Sequence, residues 1–122
     1  MNVVLVFVGA GLGGMMRHGV NAASLRLGSA FPYGTLGINI LGSLAMGVVV
    51  GWFTLRGGSM QGRLFLTTGV LGGFTTFSAF SLDAVSLIER GETGGALAYV
   101  LASVVVSILA LFLGLAAMRA IL

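Results

Sequence analysis

Cysteine is absent from this sequence, and with it any disulfide framework, thiol chemistry or cysteine-ligated metal. Charge is nearly absent as well. Asp83, Glu89 and Glu92 are the only acids, all six basic residues are arginines, and His18 is the lone histidine. Only 7% of the 122 residues are charged while 57% are hydrophobic, at a mean hydropathy of +1.11. A soluble domain this small needs far more charge to cover its surface, so the solvent implied is the lipid bilayer. The pI near 10.7 reflects a small arginine excess scattered over loops, which is no nucleic-acid footprint. No nucleophile–base pair, phosphate loop or metal-ligand cluster stands out, which reads against an enzyme.

What is present is long apolar sequence. Charge-free runs cover 1–16, 27–55, 64–82 and 93–118. A helix needs about 20 apolar residues to cross the hydrocarbon core. Three runs meet or nearly meet that length, and the first does so once Arg17 sits at the membrane edge or in a wet cavity. The first run reads as a span rather than a cleaved signal peptide, because no basic residue precedes Val3 and glycine-rich apolar sequence continues through Gly14. The expectation is an all-α membrane protein with a single transmembrane domain over residues 1–122 and helices at 3–24, 34–55, 62–88 and 94–119. Pro32 suits a helix start. Gly57-Gly58-Ser59 and Gly91-Glu92-Thr93-Gly94-Gly95 read as short loops.

Arginines divide evenly between the two sides: Arg56, Arg63 and Arg119 against Arg17, Arg26 and Arg90. Orientation normally follows lysine and arginine bias, so this balance leaves two readings. Either other features fix the topology, or copies insert both ways and pair antiparallel. Four such helices enclose little interior, so one copy could hardly line a pathway alone. The pairs Gly9/Gly13, Gly47/Gly51 and Gly69/Gly73 put small residues one turn apart, a spacing suited to close helix association and, taken together, to a homodimer.

The third run contains Gly72-Gly73-Phe74-Thr75-Thr76-Phe77-Ser78-Ala79-Phe80-Ser81. Adjacent glycines followed by β-branched threonines propagate a helix poorly, which predicts an interruption near 72–76. Unwound backbone at that depth must be buried or line a wet cavity, where carbonyls can hold a cation and N–H groups an anion. The competing reading is an unbroken helix whose threonines bond back to the preceding turn. Phe77 and Phe80, three apart, share a helix face. Aromatic edges carry partial positive charge and can meet a small anion weakly, as permeation requires, although a phenylalanine pair also serves ordinary packing.

Asn39 lies mid-span, one turn beyond Thr35, with two amide donors able to replace part of an ion's hydration or to bond a neighbouring helix. Tyr99, Ser103 and Ser107 recur every four residues as one polar stripe. Arg17 either snorkels or concentrates anions at a vestibule. His18 reads as interfacial, and Asp83 as a cap, an ion-pair partner or a group at the pore mouth. The first three charge-free runs contain no membrane-buried acid, which a proton-coupled exporter would use.

The pattern resembles the small bacterial fluoride-channel family (Fluc, also called CrcB). The resemblance rests on Gly13-Gly14-Met15-Met16-Arg17, on Gly34-Thr35-Leu36-Gly37-Ile38-Asn39 with Gly42, and above all on the segment 72–81, and it covers essentially the whole chain. It implies a fluoride-selective channel exporting fluoride passively across the bacterial inner membrane as an antiparallel, dual-topology homodimer with two pathways. It assigns the ion pathway to Asn39, Phe77, Phe80, Thr35, Tyr99, Ser103 and Ser107, and the vestibule to Arg17. It also implies one central structural sodium ion held by the backbone carbonyls of Gly72 and Thr75 from each copy. Two positions depart from the family's pattern: His18 stands where tyrosine is frequent, and Ala79 where threonine is. The runners-up are a small dual-topology proton-coupled multidrug exporter and a structural membrane subunit.

Overall fold

The computed structural model describes residues 1–28 and 31–122, so positions 29–30 of the second apolar run lie outside the described residues. Asn2–Ser24 form α1, extended by one tight 3-10 turn at Leu25–Leu27. Pro32 immediately precedes α2, Tyr33–Arg56. The turn after it uses Gly57 and Gly58 at φ 75° and 142°, backbone conformations that glycine alone adopts cheaply. The hydroxyl of Ser59 then accepts a hydrogen bond from the Gly62 amide at 2.9 Å and starts the third span.

That span is assembled from pieces. Met60–Leu64 form α3, Phe65–Leu71 wind as a wider π-helix, Gly72–Phe74 form the short α4, and Ser78–Glu89 form α5. The fourth span, α6, is one continuous helix over Thr93–Ile121. Asn2–Leu27, Tyr33–Arg56, Met60–Glu89 and Thr93–Ile121 are each long and apolar enough to cross a membrane, so the chain is an all-helical, multi-pass membrane protein. The expected boundaries differ from these by at most a few residues. Gly94-Gly95 are expected both in the loop and at the start of the fourth helix, and the helix is the reading that holds. The turn closes at Gly91 (φ 80°), and the Ala96 amide already donates to the Glu92 carbonyl, so both glycines lie within the first turn of α6.

Short connections make successive spans antiparallel. Two close seams then hold them together: α1 against the π-helical segment and α4, and α2 along α6. Both seams are made by small residues. A Cβ added to Gly9 would lie 2.9 Å from the Gly69 Cα, and one on Gly73 would lie 2.7 Å from the Ala10 Cα. On the other seam, a Cβ on Gly51 would lie 2.8 Å from the Met118 Cβ, and one on Gly47 would collide with the Leu111 carbonyl. Without a hydrophobic force between helices in lipid, such backbone approach is what dispersion attraction needs. The paired glycines are therefore engaged inside one chain, and the homodimer expectation draws no support from them. Most large apolar side chains point outward, as lipid requires, while Phe80, Leu87, Ala96 and Tyr99 form a buried cluster backed by Phe31 and Leu36.

Candidate ion pathway

The centre of the site is the junction between α4 and α5. Thr75 is extended (φ −81°, ψ 159°), and residues 75–77 stand outside helical geometry. Both the amide and the hydroxyl of Thr75 donate to the Leu71 carbonyl at 3.0 Å. The threonine thus bonds back to the preceding turn even as its backbone leaves the helix. From there the chain is held by a neighbour rather than by its own ladder. The Thr76 amide donates to Asn39 Oδ1 at 3.0 Å, and Asn39 Nδ2 donates to the Thr76 carbonyl at 3.1 Å. The side-chain amide behaves as a peptide group would in a strand pair, satisfying one donor and one acceptor at once. The Thr76 hydroxyl, one residue before the N-cap position, accepts from the Ala79 amide at 3.2 Å and so satisfies one donor of the first turn of α5.

This arrangement needs α2 very close to Thr75. Gly42 allows it, since a Cβ there would collide with the Thr75 methyl and lie 3.3 Å from the Phe74 ring. Because Thr76 donates sideways to Asn39, the Gly72 carbonyl is relieved of its usual partner four residues on.

Asn39, Gly72, Thr75, Phe77, Phe80, Ser103 and Ser107 all line one cavity of about 580 Å³. Gly42, Ser43, Met46 and Thr76 share it. Asn39 keeps one N–H of its amide beyond the bond to Thr76. Ser103 Oγ and Ser107 Oγ are buried with no hydrogen-bond partner among the described residues. An unpartnered buried hydroxyl costs roughly 1–3 kcal/mol, so both are primed to meet a ligand or water.

An aromatic row leads away from this cavity. Phe77 and Phe80 ring centroids are 5.4 Å apart at 56°, Phe80 and Tyr99 are 5.2 Å apart at 42°, and Phe31 meets Tyr99 edge-on at 5.6 Å and 89°. Phe77 is 77% exposed while Phe80 is 9% and Tyr99 0%, so the row runs from an open face to a sealed interior. The Tyr99 hydroxyl donates to Asp83 Oδ2 at 3.3 Å. Beyond it lies a second cavity of about 520 Å³, lined among others by His18, Asn21, Thr35, Asp83 and Arg90.

The expected pathway residues therefore fall into groups. Five of them, Asn39, Phe77, Phe80, Ser103 and Ser107, share the first cavity with the two carbonyl residues Gly72 and Thr75. Thr35 lines the second cavity, and Tyr99 stands fully buried between the two. Arg17 borders neither, and its Nε is buried without a partner among the described residues. Two features escaped the sequence reading. Ser43 had a signal, since Thr35, Asn39 and Ser43 recur every four residues on α2. The Tyr99–Asp83 bond had none, being set by how α5 and α6 pack.

Fold and cavity together define a small multi-pass membrane protein with a hydroxyl-lined, aromatic-edged cleft at mid-span. The chain belongs to the CrcB-like protein family, Camphor Resistance (CrcB), whose pattern it matches over residues 4–115. Its relatives include proteins named fluoride-specific ion channel FluC. One from Methylobacterium nodulans is 60% identical over 120 residues, covering 98% of this chain and 97% of the relative. Another from Rhodopseudomonas palustris (strain BisB5) is 59% identical over 123 residues and 99% of each chain. A third, from Granulibacter bethesdensis, is 54% identical over 124 residues, 100% of this chain and 98% of the relative. These relatives are named as channels, not enzymes.

Proposed function

We propose that this chain is a fluoride-selective channel that lets fluoride leave the cell passively across a bacterial inner membrane. The observation that carries the reading is the shared cavity, where two hydroxyls without a partner among the described residues, the Asn39 amide and the Phe77–Phe80 pair surround an opening in a membrane span. Hydroxyl and amide donors replace water around a small anion, and ring edges add weak contacts that do not trap it. Fluoride sheds water against Ser107, Ser103 and Asn39, passes the two rings, and regains water beyond Tyr99 and Thr35. Arg17 borders neither cavity, so in this reading its charge draws anions toward the pathway through its field and not by contact. The names of the relatives supply the choice of fluoride over other halides.

The whole of 1–122 acts as one transmembrane domain whose third span is interrupted at 75–77. A single copy leaves the cavity open to one side, with Phe77 exposed, so the working unit in this reading is an antiparallel, dual-topology homodimer with two pathways. The balanced arginines permit both insertions. A central sodium ion fits the donor chemistry. The relieved Gly72 carbonyl and the Thr75 carbonyl are oxygen ligands suited to a hard cation, and one copy offers too few of them, so each copy of the pair supplies its own. Bound there, sodium would tie the two interruptions together electrostatically.

A proton-coupled exporter fits less well, because Asp83 is engaged with Tyr99 rather than free at mid-span. The test is Phe77→Ile and Phe80→Ile in proteoliposomes. Each variant is expected to slow fluoride efflux by roughly tenfold or more while still eluting as a dimer. Unchanged flux in both removes the rings from the mechanism. Since the chain has no native cysteine, a single cysteine placed at Ser59 tests the dual topology. It should label from both faces of the membrane, and labelling from one face only overturns that part.

A further inference from the structure

The balanced arginine count hides a complete imbalance of net charge. α1 and the third span run in one direction and α2 and α6 in the other, so each membrane end gathers residues from all four spans. Asp83, Glu89 and Glu92 all lie at the end where α2 begins, together with Arg17, Arg26 and Arg90. There the side-chain charges cancel, and Arg90 pairs with Glu92 at 3.8 Å. The opposite end holds Arg56, Arg63 and Arg119 with no acidic side chain at all. The entire formal charge of +3 therefore sits at that end.

All three of these arginines are exposed, and none forms an ion pair among the described residues. The packing of Gly51 on Met118 makes α2 and α6 close neighbours here, so Arg56 and Arg119 end adjacent helices, and Arg63 follows across the Gly57–Ser59 turn. Their surroundings are apolar and outward-facing. Trp52, one turn before Arg56, is half exposed, and Leu55, Met60 and Ile121 are exposed as well. Tryptophan of this kind marks headgroup level.

We infer that this end binds the phosphate headgroup of an anionic phospholipid, with Arg56, Arg63 and Arg119 on the phosphate and the Trp52 side of α2 against the acyl chain. Charge complementarity commits the site to lipid. A guanidinium fork matches phosphate oxygens bidentately, no acidic side chain lies at this end to compete, and in a spanning protein a headgroup is the anion always present at this height. The inference stands on the spans alone and does not depend on fluoride conduction.

The test is native mass spectrometry of delipidated protein incubated with equal amounts of phosphatidylglycerol and phosphatidylcholine. Wild type should retain phosphatidylglycerol with at least about fivefold preference, the scale one arginine near an anionic surface supplies. The Arg56→Gln/Arg63→Gln/Arg119→Gln variant should lose that preference, and Arg26→Gln/Arg90→Gln should keep it. Should the triple variant fail to fold, as judged by helical circular dichroism, the three single variants should each lower the preference. Absence of preference in wild type, its survival in the triple or in every single variant, or an equal loss in the Arg26/Arg90 control would overturn the site. Displacement of the lipid by millimolar inorganic phosphate would show a site for the free anion and overturn the lipid assignment.

Discussion

The third and fourth spans have nearly the same length, 30 and 29 residues, yet opposite construction. The fourth is a single uninterrupted helix whose only mid-span polar groups are the hydroxyls of Tyr99, Ser103 and Ser107. The third passes through α-, π- and extended geometry, and its backbone is completed by a side chain from α2. The difference separates two ways of putting polarity into a membrane. A continuous helix satisfies its own backbone and can offer only side chains. A broken one frees backbone groups, at a cost that neighbours must offset. Here Asn39 supplies that compensation, while close glycine seams hold the pieces in place.

Breaking the frame should have the largest effect. Gly73→Val drives a side chain into the α1 backbone at Ala10 and is expected to destabilise the folded protein by about 3 kcal/mol. Thermal unfolding in detergent measures it, and an unchanged midpoint would mean that the seam is looser than described. Removing the compensation comes next. Asn39→Leu leaves both the Thr76 amide and its carbonyl without their partner, a loss of about 2 kcal/mol with flux abolished. Helix-resolved hydrogen exchange should report faster exchange at residues 75–79 and little change in α6, and uniform protection would contradict the clamp.

The fourth span should respond differently. Ser103→Ala removes a hydroxyl that has no partner among the described residues, so stability should stay within about 0.5 kcal/mol of wild type or rise slightly, while fluoride flux falls by roughly two- to tenfold. A large loss of stability with normal flux would make Ser103 a structural residue instead. The smallest effect belongs to Gly37→Ala, where an added methyl meets nothing within 4 Å. The gain in helix propensity should leave stability unchanged or about 0.5 kcal/mol higher, with flux unaltered.

Much of this architecture was legible in the sequence because membrane spans are written locally. Apolar runs placed the four spans to within a few residues. The polar cavity was partly legible for the same reason, since Ser103 and Ser107 repeat at a helical interval. The rings of Phe77 and Phe80 do meet at 5.4 Å, but Phe77 stands before α5 and is exposed while Phe80 is buried, so their spacing did not give a common helix face. What could not be read depends on contacts distant in sequence. Asn39 and Thr76 are 37 residues apart, and Tyr99 and Asp83 are 16 apart on different helices. No local pattern says that an asparagine amide will stand in for a backbone group. The glycine pairs illustrate the converse: their spacing correctly signals close packing but says nothing about whether the partner helix lies in the same chain.

The most direct test of the central claim is anion efflux from liposomes containing the purified protein, read in parallel with fluoride and chloride electrodes. The account predicts rapid fluoride release with no protein-dependent chloride release. Release of neither ion from well-folded protein, or equal release of both, would contradict it.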